Sequence, residues 1–414
     1  MTAILPARPG GPWAIGAGER SERVRFPVPE AELERRWAAV RAGMDEAGLD
    51  VLLVHDHVDG LGGYVRYLSD MPAAGGYPLS IVFPRHGAMT LVVHGPHGAD
   101  RAVAPAGDPL LYGVERVLST WSFASASYTA HDDAAALVGA LAPFAGGSIG
   151  VLGLAQIPFT LLTHVREHLP RARFGDAADV VDPVKAVKSD WEQSAIAEAV
   201  AMQVEAFTAA LEAIEPGRRE WEVIDAAARV AHAHGSEGGV LMIGSAPAGE
   251  PALPNPARNQ GRELRDGDRL TLLIEPSGPG GFFAELGRTI VIGAAPDAMH
   301  EEHAFAVRAW RACASDLRPG ADAATVFAGY NAFLRGHDRP AEERLHCHGQ
   351  GYDLVERPLV RSDESMTLAA GMVLALHPMY VHAGDAYWVC DNVLIGPDGA
   401  SAPLHGVEQR IFER

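Results

Sequence analysis

The sequence predicts an α+β protein of two domains, an N-terminal α/β domain followed by a larger domain with an internal pseudo-twofold repeat. Three observations carry this expectation. Helical and strand-like patterns alternate up to about residue 184. A capping box, Ser189-Asp-Trp-Glu192, then opens a long new helix. Beyond it, a helix–Pro-Gly–helix unit followed by a two-stranded pattern occurs twice.

Residues 1–28 are rich in Pro, Gly and Ala and lack a basic stretch followed by an apolar one. They are expected to be an extended arm rather than a signal peptide. The first domain is expected over residues 29–184. Pro29 to Gly48 has helical spacing, with Leu33, Trp37, Val40 and Met44 on one stripe. Asp50 to His55 reads as a buried strand. Leu79 to Phe83 and Ala88 to His94 read as two more, joined by a hairpin at Pro84-Arg-His-Gly87. Helical patterns at Asp132–Leu141 and Pro158–His168 flank a strand at Ser148–Leu152, which implies a mixed sheet with helices.

A linker is expected near Asp182-Pro-Val-Lys-Ala-Val-Lys188, and the second domain over residues 185–414. Its first repeat pairs a helix running to about Ile214 with a helix over Trp221–His234, across Glu215-Pro-Gly217. The second pairs His300–Leu317 with Ala323–Leu334, across Arg318-Pro-Gly320. In each, the Pro-Gly pair ends one helix and turns the chain into the next. The hairpin strands are expected at Arg269–Glu275 with Phe282–Ile292, and at Met372–Tyr380 with Ala386–Ile395.

The chain has 414 residues, 48% hydrophobic and 21% charged, an ordinary globular composition. The net charge of -19 argues against nucleic acid or an anionic membrane as a partner, since both require basic patches. No uninterrupted apolar run reaches the roughly 18 residues of a membrane helix. Three scattered cysteines, Cys313, Cys347 and Cys390, form no disulfide framework and point to the cytoplasm. The expected partner is a small-molecule substrate.

Polar groups inside the hairpin strands are the candidates for chemistry. Glu285 alternates with Phe283 and Val291; Asp391 alternates with Tyr387, Val389 and Val393; His377 shares a face with Val373, Ala375 and Met379; Glu275 ends its strand. Burying a carboxylate costs several kcal/mol unless it is paired or ligates a metal. In His346-Cys-His-Gly-Gln-Gly351, alternation would put His346 and His348 on one face. Cys347 reads as a buried, inert thiol rather than a nucleophile.

These motifs resemble one family. His348-Gly-Gln-Gly-Tyr-Asp-Leu-Val-Glu-Arg-Pro358 is similar to the His-Gly-x-Gly-x-x-x-His-Glu-x-Pro signature of the creatinase, prolidase and aminopeptidase P (pita-bread) family. Gly371 to Met379 resembles its Gly-Met-Val-x-x-x-Glu-Pro strand, Asp391 to Gly399 its last-ligand strand, and Glu285-Leu-Gly-Arg-Thr289 its Asp-Ile-Thr-Arg-Thr. Residues Gly43 to Asp70 resemble its N-terminal domain. The resemblance implies a pita-bread second domain and a homodimer, with His55, Asp56, His57, Arg66 and Tyr67 over the neighbouring subunit's cleft.

The departures carry the functional expectation. The resemblance implies two metal ions held by two Asp, one His and two Glu, of which the His alone is retained, as His348. Glu285 replaces the second Asp, and Ile274 with adjacent Glu275 the first. His377 and Asp391 hold the Glu positions, Pro254 lies near one family histidine's place, and Val355 holds another. Creatinase, by resemblance, hydrolyses a small C–N bond without metal. Other members cleave ectoine, and one metal-bearing relative is a sulfonium lyase.

The expectation is therefore a small-molecule C–N bond hydrolase with His348, His377, Glu285 and Asp391 as catalytic groups, a histidine acting as base. Glu275, His346, Glu356 and His382 are expected to bind substrate. The alternative is a single-metal lyase or unusual Xaa-Pro-type metallopeptidase, with one Zn, Fe or Mn ion on Glu285, His348, His377 and Asp391. A third reading is an inactive binding protein.

Overall fold

The computed structural model describes residues 24–56, 63–72, 77–103, 110–382 and 384–414. Most of the expected arm, and His57, lie outside them. The chain forms two compact units, the second starting at Ala186.

The first unit is built on β1 (Val51–Asp56), β2 (Leu79–Pro84), β3 (Met89–His94), β4 (Ala99–Ala102), β5 (Val114–Thr120), β6 (Ser148–Leu152) and β7 (Arg173–Asp176). They form one sheet in the order β4-β5-β3-β2-β1-β6-β7. β1, β2 and β3 run antiparallel, β2 and β3 as a hairpin, while β6 joins β1 and β7 joins β6 in parallel, the mixed sheet that the pattern implies. Helix α1 (Glu30–Ala47) buries Leu33, Trp37, Val40 and Met44, and stops at Gly48 in the left-handed conformation. It is followed by α2 (Gly63–Ser69), α3 (Ala130–Leu141), α4 (Phe159–His168) and α5 (Ala178–Ala186). Leu137 of α3 and Val165 of α4 pack with Val151 of β6 in one apolar core.

The second unit opens with α6 (Asp190–Ala213) and α7 (Glu220–His234), then β8 (Gly239–Ala246), β9 (Arg269–Pro276) and β10 (Leu286–Val291). Next come α8 (Asp297–Asp316), α9 (Ala323–Gly336), β11 (Cys347–Gly349), β12 (Glu356–Leu359), β13 (Val373–Leu376), β14 (Met379–His382), β15 (Asp385–Trp388), β16 (Asp391–Gly396), β17 (Gly399–Ala400) and β18 (Phe412–Glu413). The capping box forms as expected: the Ser189 hydroxyl accepts from the Glu192 amide at 3.1 Å, and the Glu192 carboxylate accepts from the Ser189 amide at 2.9 Å.

The repeat is visible in how helices cover sheets. Phe207 of α6 and Val223 of α7 pack on Ile243, Leu272 and Ile290 of the sheet β18-β10-β9-β8. Trp310 of α8 and Val326 of α9 pack on Leu374 and Val393 of the sheet β12-β11-β13-β16-β17. The sheets meet where Gly287 and Cys390 exchange two backbone hydrogen bonds of 3.1 Å. Gly287 is required for this approach, since a Cβ there would stand 2.9 Å from the Cys390 Cβ.

The second hairpin differs from expectation. Each of its long strands is broken, at His377-Pro378 and at Val389-Cys390, and β14 and β15 form a separate two-stranded ribbon. Pro378 has no N–H to continue a ladder, and Cys390 turns its backbone to Gly287 instead. Of the described helices, α6 alone is long and apolar enough by composition to span a membrane. Half of its most apolar stretch is buried in this unit, so its apolarity is that of a core helix.

Replacing the α6 cap, Ser189→Ala, is expected to destabilise the second unit by about 1 kcal/mol. A denaturant midpoint unchanged from wild type would show that the box contributes nothing.

Candidate active site

Three side chains converge where the two sheets meet. Glu285 precedes β10, His348 lies in β11 and His377 follows β13. Each offers a ligand atom within 4.8 Å of the others, and all three are buried. Among the described residues no other set of three His, Cys, Asp or Glu side chains meets that condition. His348 Nδ1 lies 2.8 Å from the Gly349 carbonyl. A carbonyl only accepts, so Nδ1 carries the proton and donates it, and Nε2 is turned inward, 3.5 Å from Glu285 Oε2. The His377 ring lies 5.0 Å from that of His348.

A chain of amides fixes the carboxylates. The Glu285 backbone N–H donates to Asn392 Oδ1 at 2.6 Å, Asn392 Nδ2 donates to Gln350 Oε1 at 2.8 Å, and Gln350 Nε2 donates to Glu275 Oε1 at 2.9 Å. The order is self-consistent, because it starts at an obligate donor and ends at a carboxyl acceptor. Gln203 of α6 closes the hairpin from behind, donating to the carbonyls of Pro276 and Ala284.

The environment separates the two carboxyls. Burial, and next the charge of Glu285, push the Glu275 carboxyl well above the usual range. Burial also raises Glu285, but His377, His348 and the Cys390 thiol outweigh it and hold Glu285 at about 2. Burial lowers His377 to about 4, so its imidazole is neutral at neutral pH.

Asp391 does not join this group. Its Oδ1 accepts from Arg288 Nη2 at 2.8 Å and its Oδ2 from Gln409 at 2.9 Å, with both members of the ion pair fully buried. The period-two alternation is present, but Asp391 lies on the face shared with Val389 and Val393, which pack in the helix-covered core. The opposite face carries Cys390 and Asn392, which reach Glu285. Neither was singled out from the sequence; their shared parity in Cys390-Asp-Asn392 was the available signal.

The remaining candidates are placed elsewhere. His346 precedes β11, so strand parity does not govern it, and its ring stacks on Tyr330 at 4.0 Å and Phe327 at 5.7 Å. Glu356 accepts from Lys188 at 3.0 Å in a buried ion pair. The half-buried His382 contacts Glu302 and Arg339. Cys347 is fully buried and its thiol is raised by that burial, which leaves it inert. In the first unit, His55, Asp56, Arg66 and Tyr67, expected over a neighbouring subunit's cleft, are all buried. His55 is bound to Ser80 at 2.8 Å, and Arg36 lies over the Tyr67 ring.

Metallopeptidase family M24 matches residues 194–397. A probable dipeptidase PepE of Mycobacterium tuberculosis is 30% identical over 229 residues, 54% of this chain and 60% of that protein. The chain thus spans about 60% of the curated relative's length. The crystal structure of dipeptidase PepE from Mycobacterium ulcerans superposes with a TM-score of 0.72 at 23% identity, covering 92% of this chain and 98% of that one. Prolidase from Pyrococcus horikoshii OT3 gives 0.71 at 18% identity, covering 90% and 99%. The fold is the pita-bread fold expected from the motifs.

Arg288→Met is expected to destabilise the chain by about 3–5 kcal/mol, because Asp391 is left as a lone buried charge. Adding Asp391→Leu should recover most of that loss in denaturant unfolding; a double variant as weak as the single one would refute the pairing argument. His405, buried behind Asp391, is lowered to about 3 by that burial. The unfolded chain then binds the extra proton below pH ~6.5. Stability should fall as pH drops from ~6.5 toward 3, by up to about 1.4 kcal/mol per pH unit from this group. His405→Gln should flatten that slope.

Proposed function

Residues 194–397 make the chain a member of metallopeptidase family M24, and from that premise we propose that it hydrolyses the amide bond of a small peptide-like substrate with one divalent metal ion rather than two. The observation that carries this reading is the convergence of Glu285, His348 and His377, with His348 locked in the tautomer that turns Nε2 inward.

The donor set fits a metal. Two imidazole nitrogens and one carboxylate are a recurrent set for Zn and for non-haem Fe(II). A bond from the other ring nitrogen to a carbonyl is the usual support for a ligating histidine. The His348 Nε2 lone pair would face a carboxylate oxygen at 3.5 Å, and a cation or a proton between them relieves that opposition. Asp391, engaged by Arg288, supplies no fourth ligand.

When bound, such an ion polarises a carbonyl oxygen and brings the ionisation of water near neutral pH. The side chains supply the rest. His377, neutral at neutral pH, and His348 would hold such an ion through ring nitrogens, with Glu285 as the anionic ligand. Glu275 holds a proton beside Glu285 and delivers it to the departing nitrogen. The metal-free alternative, in which Glu285 and Asp391 orient a histidine base, lacks Asp391 in this arrangement. The relatives' names, dipeptidase and Xaa-Pro dipeptidase, direct the substrate choice to dipeptides before non-peptide amides and ureas.

The test is metal content and turnover of untagged protein against dipeptides, Xaa-Pro dipeptides, amidines and ureas. His348→Ala and His377→Ala should each lose about one ion per chain and the dipeptide turnover. Glu275→Gln should keep the ion but lower kcat about 10²–10⁴-fold. Unchanged metal content in both histidine variants, or turnover of ureas alone, would overturn the reading.

A further inference from the structure

The first unit carries a histidine cluster of its own. Helix α4 contains His164-Val-Arg-Glu-His168, and α3 carries His131 beside it. Positions i and i+4 lie on one helix face, and this His-x-x-Glu-His spacing is one that places two zinc ligands together. The His164 and His168 rings stack at 4.0 Å, and the His131 ring meets that of His164 edge-on at 4.6 Å. We propose that His131, His164 and His168 form a second binding site, at the surface of the first unit, for a divalent transition-metal ion such as Zn, Cu or Ni.

Five features support it. His168 Nδ1 donates to the His164 carbonyl at 2.9 Å, so Nε2 is the free ligand atom, the orientation that ligating histidines adopt. Three imidazoles together disfavour protonation: burial and then His168 and His131 hold His164 below the usual range, against the pull of Glu167. The neutral ring is the ligating form. Glu167 adds a negative charge that favours a cation. The scaffold is rigid, because Leu137 and Val165 lock the two helices in the core. As they stand, the three rings do not bring ligand atoms within 4.8 Å of one another; His131 and His168 are exposed, which leaves their side chains room to turn toward one ion.

Equilibrium dialysis of the untagged full-length chain against Zn(II), followed by elemental analysis, tests this. His164→Ala/His168→Ala should bind about one ion fewer per chain than wild type, with peptide-bond turnover unchanged. With Cu(II) as the probe, electron paramagnetic resonance should lose a nitrogen-ligated signal in the same variant. His168 is exposed and His164 half-buried, and an unchanged circular dichroism melt verifies folding. Equal metal content and an equal Cu(II) signal in wild type and variant would overturn the proposal, the histidines then being only a stacked surface cluster.

Discussion

The buried guanidinium of Arg288 fixes the geometry on which the rest of the second unit depends. It has five N–H donors, and all five are used: on Asp391 Oδ1 and on the carbonyls of Gly287, Cys390, Val407 and Glu408. One side chain thereby joins β10, the start of β16 and the C-terminal segment. A buried charge is tolerable only when paired and fully hydrogen-bonded, and Asp391 meets that condition. The direction of Asp391 then sets the direction of its neighbours. Cys390 and Asn392, one residue to either side, must point the opposite way, toward Glu285.

The amide chain from Glu285 through Asn392 and Gln350 to Glu275 follows from that choice of face. Each amide is oriented by a partner with only one option, so the chain has one low-energy arrangement. It brings two buried carboxyls together, where both cannot be charged. The electrostatic result is a division of labour: Glu285 keeps the charge, and Glu275 keeps the proton. Gln203 adds a constraint from α6, and His405 donates to Gln203 Oε1 at 3.0 Å. The helix layer, the hairpin and the C-terminal segment therefore share one polar network under the site.

Much of this was legible in the sequence, and the failures have specific causes. The α6 cap, the two helix pairs and the hairpin strands were readable because capping and periodicity are local. Glu285, His348 and His377 stood out as polar residues in apolar strands. The face of Asp391 was not readable, because alternation gives parity and not which side is the core; only Arg288, 103 residues away in sequence, decides it. His346 was grouped with His348 by a strand period that does not extend to it, since β11 begins at Cys347. His55 and Asp56, placed over a neighbouring subunit's cleft by the resemblance, lie in β1, which is buried along its whole length.

In the one-ion reading proposed above, the number of ions follows from charge. A two-ion centre needs carboxylates that bridge the ions and offset a charge of about four. Here the converging group contains one carboxylate that stays ionised, Glu285, together with two imidazoles, which contribute no negative charge. Glu275 could contribute a second charge only by losing its proton beside Glu285, and Asp391 is already neutralised by Arg288. One divalent ion on two histidines and a glutamate leaves a net charge of about one, which a carbonyl or water oxygen can share. A second ion would meet almost uncompensated repulsion in a buried site. The replacement of carboxylate by histidine at position 377 thus does more than exchange a ligand: it removes the charge that a second ion would require.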